Sequence, residues 1–205
     1  GIDVEIATEA LHRMGYEPEF KLIVWENKNK LLEDGELDCI WGCFSMNGRE
    51  DKYLWAGPYL YSRQMVAVRM DSEIQKLKDL TGKMIAVQET SKAEEYFLRS
   101  DFEGIPDVSL VYCFSNMDEV FAALRKNYVE AICGHESALI SFINTAPDEY
   151  RLLEESFLYS ALGVAFDIQY DEEFVEELVK TLVDMMNDGT TAVSYTHLTL
   201  PTNSR

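Results

Sequence analysis

His135 and Glu136 are adjacent titratable side chains, an imidazole and a carboxylate, the types that serve general acid–base chemistry. Glu89-Thr90-Ser91-Lys92 stands at the start of a run with helical character that reaches Leu98. At such a start, free N–H groups and the positive end of the helix dipole point at an anion. Ser91 reads as an anion contact or as a plain N-cap, and the two roles are compatible. Of Cys39, Cys43, Cys113 and Cys133, three lie in or at the end of apolar strands and read as buried free thiols. Cys39 and Cys43 on one extended strand would sit roughly 13 Å apart, beyond the ~4.4–6.8 Å that a disulfide spans. Cys43 with His135 lacks the CxxC spacing of a zinc site, so neither a metal nor a cofactor is expected. No GxGxxG or GKS/T occurs, and His12, His135 and His197 have no nucleophile motif beside them.

The elements that must position these groups say the same thing twice. Leu32-Glu33-Asp34-Gly35-Glu36-Leu37-Asp38-Cys39-Ile40-Trp41-Gly42-Cys43 lies without a gap over Leu124-Arg125-Lys126-Asn127-Tyr128-Val129-Glu130-Ala131-Ile132-Cys133-Gly134-His135. Each copy is a helix end, a turn at Gly or Asn, an acid, a short apolar strand and a final Gly before its last residue or residues. Gly and Asn tolerate the left-handed conformation that ends a helix. Two copies of one α/β unit imply two similar lobes, and a cleft between lobes is where small ligands bind.

Periodicity predicts helices over 2–14, 26–34, 91–98, 116–126, 136–144 and 171–187, with a short helical piece over 76–80. It predicts strands over 20–24, 38–42, 64–69, 83–88, 109–114, 129–133 and 162–166, with 44–57 as a long loop. Strands alternating with helices imply an α/β fold with mostly parallel strands. No Pro/Gly/Ser linker separates the lobes. Crossings near 69–72 and 157–162 would make a hinge, with lobe I formed by 1–70 plus 161–192 and lobe II by 71–160.

The formal net charge is −19 over 205 residues, with 47% hydrophobic content. A core can form. The charge argues against nucleic acid and against anionic lipid, although local donors can still reverse the potential inside a cleft. No apolar run reaches the ~18–20 residues that span a bilayer, so this fragment is not expected to insert in a membrane. Gly1 is not Met and opens directly into a helix, so the chain reads as a fragment. Residues 193–205 turn neutral and Thr-rich, resemble the translated read-through of a sequencing adapter, and are set apart as a non-native tail, the alternative being a real edge strand.

The ordered motifs resemble one family. Gly1-Ile2-Asp3-Val4-Glu5-Ile6-Ala7 is similar to G-[FI]-D-[VI]-[DE]-[LI]-A, and Val24-Trp25, Leu32 and Gly35-Glu36-Leu37-Asp38 are similar to V-x-W…L-x-x-G-x-[LI]-D. Trp55-Ala56-Gly57-Pro58-Tyr59 resembles F-S-x-P-Y, and Leu80 to Gln88 resembles L-x-G-K-x-[VI]-[AG]-V-Q. Asn187-Asp188-Gly189-Thr190 resembles the final N/D-D-G-T. The chain thus resembles the type II periplasmic solute-binding proteins, family 3, from residue 1 to about 192. The resemblance implies a two-lobed periplasmic-binding-protein-like α/β fold with its N-terminal strand truncated, and an aromatic ligand contact in that missing stretch.

It also implies site residues. Cys43-Phe44-Ser45 matches G-[MI]-[ST], whose backbone and hydroxyl receive a ligand ammonium or carboxylate. Asn47-Gly48-Arg49 stands for T-x-x-R, one residue short. The Arg49 guanidinium would fork onto a ligand carboxylate, the alternative being an exposed pair with a surface acid. Thr90-Ser91-Lys92 matches G-T-T, with Thr90 where Gly is expected. His135 takes the place of the acid that pairs with the ligand α-ammonium. Glu136 would substitute for it if turned inward. Otherwise the ligand lacks an α-amino group or is an anion that pairs with protonated His135, or His135 simply lines the cleft edge. Trp41, Phe44, Tyr59 and Tyr61 are candidates for stacking, with Trp41 and Tyr59 also reading as core.

The function implied is extracytoplasmic binding of an amino acid or related carboxylate, not catalysis. The partner is an ABC permease or a fused or separate membrane sensor; Trp41 to Met46 and Gly134-His135-Glu136 look more like sensor-attached members. The alternative is a dehydratase on the same fold acting on a prephenate-like cyclic acid, with His135 and Glu136 as its acid–base pair.

Overall fold

A computed structural model describes residues 1–99 and 102–191; the tail set apart in the sequence lies outside them. The chain divides into two compact units. Of the described residues, the first comprises Gly1–Ile23, Asn27–Ser62 and 160–191; the second comprises Val24–Glu26 and Arg63–Tyr159.

The first unit contains α1 (Ile2–Arg13), α2 (Lys28–Glu33), β1 (Cys39–Ile40), most of β2 (Leu54–Arg69) and of β7 (Leu158–Phe166), and α6 (Glu172–Asn187). β1 pairs antiparallel with β7 through Cys39↔Phe166 and Ile40↔Ala165. The apolar stripe of α6, with Val175, Leu178, Leu182 and Met185, closes a core with Ile2, Ile6 and Ala10 of α1 and Leu162, Val164 and Phe166 of β7. The Asp171 side chain accepts from the Glu173 N–H and caps α6.

The second unit contains the end of β2, then β3 (Met84–Gln88), α3 (Lys92–Leu98), β4 (Leu110–Phe114), α4 (Met117–Arg125), β5 (Ala131–His135), α5 (Glu136–Ile143) and β6 (Tyr150–Leu152). The second-unit part of β2, and β3 and β5, are buried on both faces. Met65, Ala67, Ala86 and Ile132 face one core with Val120, Leu124, Leu139 and Phe142, whereas Val66, Val68, Ile85, Val87, Ala131 and Cys133 face another with Tyr96 and Phe97. Burial on both faces is why these strands read as continuous apolar runs.

Both copies of the repeat end their helix alike. Gly35 and Asn127 have φ of 69° and 61°. The N–H of Glu36 bonds Leu31 O at 2.9 Å, and the N–H of Tyr128 bonds Ala123 O at 2.9 Å, the long bond of a Schellman turn.

Three expectations are corrected. The strands are not mostly parallel: β3 pairs parallel with β4 and β5, but β2 pairs antiparallel with β5 and β6, and β1 antiparallel with β7. The helical crossovers α3 and α4 enforce parallel pairing only from β3 to β5, while β2 reaches β3 through a 3-10 turn at Leu77–Leu80. Residues 20–24 form no strand; Leu22 is 101% exposed, and an apolar run without a ladder partner has nothing to hold it extended. The long loop ends early, because β2 begins at Leu54 and carries Gly57 and Pro58 within it.

Candidate functional site

The candidate residues fall into two groups, one in each unit. In the first unit, the loop after β1 carries Cys43, Phe44, Ser45 and Arg49. Cys43 adopts φ of 50°, which turns the chain sharply after the strand. Its thiol donates to Asp3 Oδ2 at 3.1 Å, and the Tyr59 hydroxyl donates to Asp3 Oδ1 at 2.6 Å. Burial, then the Asp3 carboxylate, push the Tyr59 hydroxyl well above its ordinary pKa. The Phe44 ring is 1% exposed and packs on Tyr53 and Trp55 with centroids at 5.3 Å, so the side chain is core.

Ser45 is also buried. Its hydroxyl donates to Asn47 Oδ1 at 3.0 Å, and the same oxygen accepts the Ala161 N–H at 2.9 Å. The Arg49 side chain folds back along the loop. Nη1 donates to Ser45 O at 3.0 Å, and the guanidinium carbon lies 4.9 Å from the Phe44 ring centroid. The Arg49 carbonyl in turn accepts from Trp55 Nε1 at 3.0 Å. The short Asn-Gly-Arg spacing therefore still brings Arg49 to Ser45. A guanidinium presents a planar fork of donors, so this loop can receive a carboxylate.

In the second unit, Thr90 takes the left-handed φ of 54° at the position where the resemblance implies Gly. Its N–H donates to Glu94 Oε2 at 2.8 Å, and Ser91 Oγ accepts the Glu94 N–H at 3.2 Å. Ser91 is thus the N-cap of α3, and an internal carboxylate sits on the N–H expected to meet a ligand anion. Lys92 Nζ donates to Glu95 Oε2 at 2.7 Å.

His135 closes β5 and is in register with Gln64 of β2. The Gln64 amide nitrogen, 1% exposed as a residue, lies 3.0 Å from the His135 ring nitrogens. Glu136 accepts from Arg63 at both oxygens, with Nε to Oε2 at 3.0 Å and Nη2 bonded to Oε1. This is the geometry of an ion pair rather than of a proton donor. Arg63 and Gln64 were not among the residues expected from sequence; only the β2–β5 register, which no local motif encodes, brings them beside His135 and Glu136.

Of the stacking candidates, Tyr59 is core, Trp41 packs on it with centroids at 5.7 Å, and Tyr61 is exposed. The four cysteines are free thiols. Burial first, then Asp38, pushes Cys39 up to about 12; burial first, then Glu94, pushes Cys113 up to about 12; burial raises Cys133. Such thiols offer little thiolate to a metal or an electrophile at neutral pH. Among the described residues, no group of three or more His, Cys, Asp or Glu is placed to hold a metal ion, and no helix is long and apolar enough to cross a membrane.

The sequence profile of the bacterial extracellular solute-binding proteins, family 3, matches residues 1–198. The chain belongs to that family. Among curated relatives of this family 3 chain, it is 25% identical over 163 residues to the glutamate-binding protein GluB of Corynebacterium efficiens, covering 75% of this chain and 54% of that protein. It is 32% identical over 106 residues to the putative amino-acid ABC transporter-binding protein PatH of Vibrio harveyi, covering 51% of this chain and 43% of that protein. The chain thus spans about half the length of the curated relatives it matches. The solved structure of Tv2483 bound to L-arginine is similar with a TM-score of 0.83 and 27% identity, covering 97% of this chain and 80% of that one. The fold is the two-lobed α/β fold of the periplasmic binding proteins. These relatives are binding proteins, and none supports the dehydratase alternative.

Proposed function

We propose that this chain binds an amino acid or a related small carboxylate outside the cytoplasm, as a receptor and not as an enzyme. The observation that carries the reading is the loop of the first unit, where the Arg49 guanidinium is seated on the Phe44 ring and the Ser45 carbonyl. A cation packed on an aromatic face and tied to a carbonyl is oriented before any ligand arrives, which lowers the ordering cost of binding. In this reading Arg49 receives the ligand carboxylate. The backbone of Cys43 and Phe44 and the Ser45 hydroxyl add polar contacts.

The names of the relatives support amino acids as the ligand class. Of the two partners that the sequence leaves open, an ABC permease is supported by the name of PatH, and a membrane sensor has no such support. The reading is tested by a thermal-shift screen of the twenty amino acids, cystine and small carboxylates. Ligand at about 100 times its Kd stabilises the folded state by about 2.7 kcal/mol, a shift of several degrees. A screen in which no amino acid and no carboxylate raises the midpoint contradicts it.

A further inference from the structure

We infer that Asn47-Gly48 is a site of self-modification: the Asn47 side chain cyclises onto the Gly48 nitrogen, loses ammonia and becomes aspartate or isoaspartate in the loop that carries Arg49. Every group the step uses lies in the first unit.

Asn47 is the one asparagine in the sequence that Gly follows. Asparagine is among the chemically labile residue types. Ring closure brings the Gly48 nitrogen against Asn47 Cγ, and the peptide unit between the two residues must rotate to allow it. Glycine has no Cβ to oppose that rotation. Gly48 sits at φ of 70° in a turn that the Arg49 N–H closes on Met46 O at 2.9 Å. Asn47 and Gly48 are both exposed, so water reaches them.

The groups around the reacting atoms suit the step. The Gly48 N–H donates to Glu50 Oε1 at 3.1 Å, which sets a carboxylate on the proton that the attacking nitrogen must lose. Asn47 Oδ1 accepts from the Ser45 hydroxyl at 3.0 Å and from the Ala161 N–H at 2.9 Å. Negative charge gathers on that oxygen as the nitrogen adds to Cγ, and donors already aimed at it stabilise the adduct.

The bond from Gly48 N to Asn47 Cγ forms as the proton passes to Glu50 and the carbonyl electron pair moves onto Oδ1. The pair returns, the bond from Cγ to Nδ2 breaks, and Nδ2 leaves as ammonia with the proton that Glu50 held. Water then opens the succinimide. Opening at Cγ gives aspartate. Opening at the main-chain carbonyl gives isoaspartate, whose chain is one methylene longer before Gly48 and Arg49. No oxidant or reductant enters.

The test is incubation of the folded full chain in mildly alkaline heavy-oxygen water, followed by peptide mass spectrometry that separates aspartate from isoaspartate. Asn47 is expected to become an acid carrying heavy oxygen while Asn116 and Asn144 stay amides. Glu50→Gln is expected to slow the conversion about tenfold, less than the ~10²–10⁴ of a general base in an enclosed site because this one is exposed. Ser45→Ala slows it a few fold through the lost donor. In urea, where base and donors are no longer placed, wild type and both variants convert at one rate. If Ser45→Ala unfolds because the residue is buried, Glu50→Gln on the surface carries the comparison. An Asn47 that stays an amide as long as Asn116 does, or a folded Glu50→Gln chain that converts at the wild-type rate, overturns the inference. No ligand takes part, so either result leaves the binding function standing, and a chain that binds no ligand leaves this inference standing.

Discussion

The Tyr59 hydroxyl donates to Asp3 Oδ1 at 2.6 Å, tying the start of α1 to β2 across 56 residues of sequence. Cys43 donates to the other oxygen of the same carboxylate, so one acid anchors the strand and the turn that leads into the Arg49 loop. Tyr59→Phe removes one of the two donors while keeping the ring in the core. It is expected to cost about 1.5–3 kcal/mol, the range for a hydrogen bond to a charged group. Urea unfolding followed by tryptophan fluorescence measures it; an unchanged midpoint would show that the bond adds nothing to stability.

Gly163 lies against the same loop. A Cβ added there would stand 2.8 Å from Met46 Cγ, Met46 Sδ and Trp55 Cε3. The Met46 side chain can swing away, but the Trp55 indole is packed on Phe44 and Tyr53 and bonded to Arg49 O. Gly163→Ala is therefore expected to destabilise by about 1–3 kcal/mol, as overpacking does, and to weaken ligand binding by moving Arg49. Thermal unfolding and one titration check both effects together. A variant of wild-type stability and affinity would mean that the loop yields without consequence.

Asp188 accepts from the Thr190 hydroxyl at 2.5 Å and the Thr190 N–H at 3.0 Å, and pairs with Arg13 at 2.7 Å. Thr190 first, then Arg13, holds its carboxyl at about 2, below the ordinary 3.8. With the folded value depressed, the unfolded chain binds more protons between the two. The stabilisation is fully present above the unfolded value and is lost as pH falls toward and through about 2. Wild type should therefore exceed Asp188→Asn in stability above pH 4 by a margin that shrinks toward pH 2 and also falls with salt, since the group is exposed. Denaturant melts across this range check it; a margin independent of pH would contradict the linkage.

Much of the helical structure can be read from the chain alone. The bounds predicted for α4 and α6 hold in the structure to within a residue at either end, because amphipathic period and capping residue agree. The repeat anticipates the twin left-handed turns at Gly35 and Asn127 because the physical requirement is local. Strand pairing is not local. Nothing in the run Ser62-Arg63-Gln64 says that it lies against His135, so the Gln64 and Arg63 partners of His135 and Glu136 escaped prediction. Composition also misled where a partner decides the state: residues 20–24 are apolar like a strand and form none, whereas Gly57 and Pro58 punctuate a strand that runs through them. At the candidate site, residue type pointed to Arg49 and Ser45 but not to the orientation in which Arg49 bonds the Ser45 carbonyl. It also did not show that Glu94 would occupy the Thr90 N–H.

The central claim is that Arg49 receives the carboxylate of the ligand. Calorimetric titration of wild type and Arg49→Ala with the amino acid that gives the largest thermal shift tests it most directly. Loss of a charge-assisted, desolvated pair costs about 2 kcal/mol or more, so the Kd should rise at least about thirtyfold in the variant, with Arg49→Lys recovering only part of it. An Arg49→Ala chain that folds and binds within twofold of wild type would contradict the account.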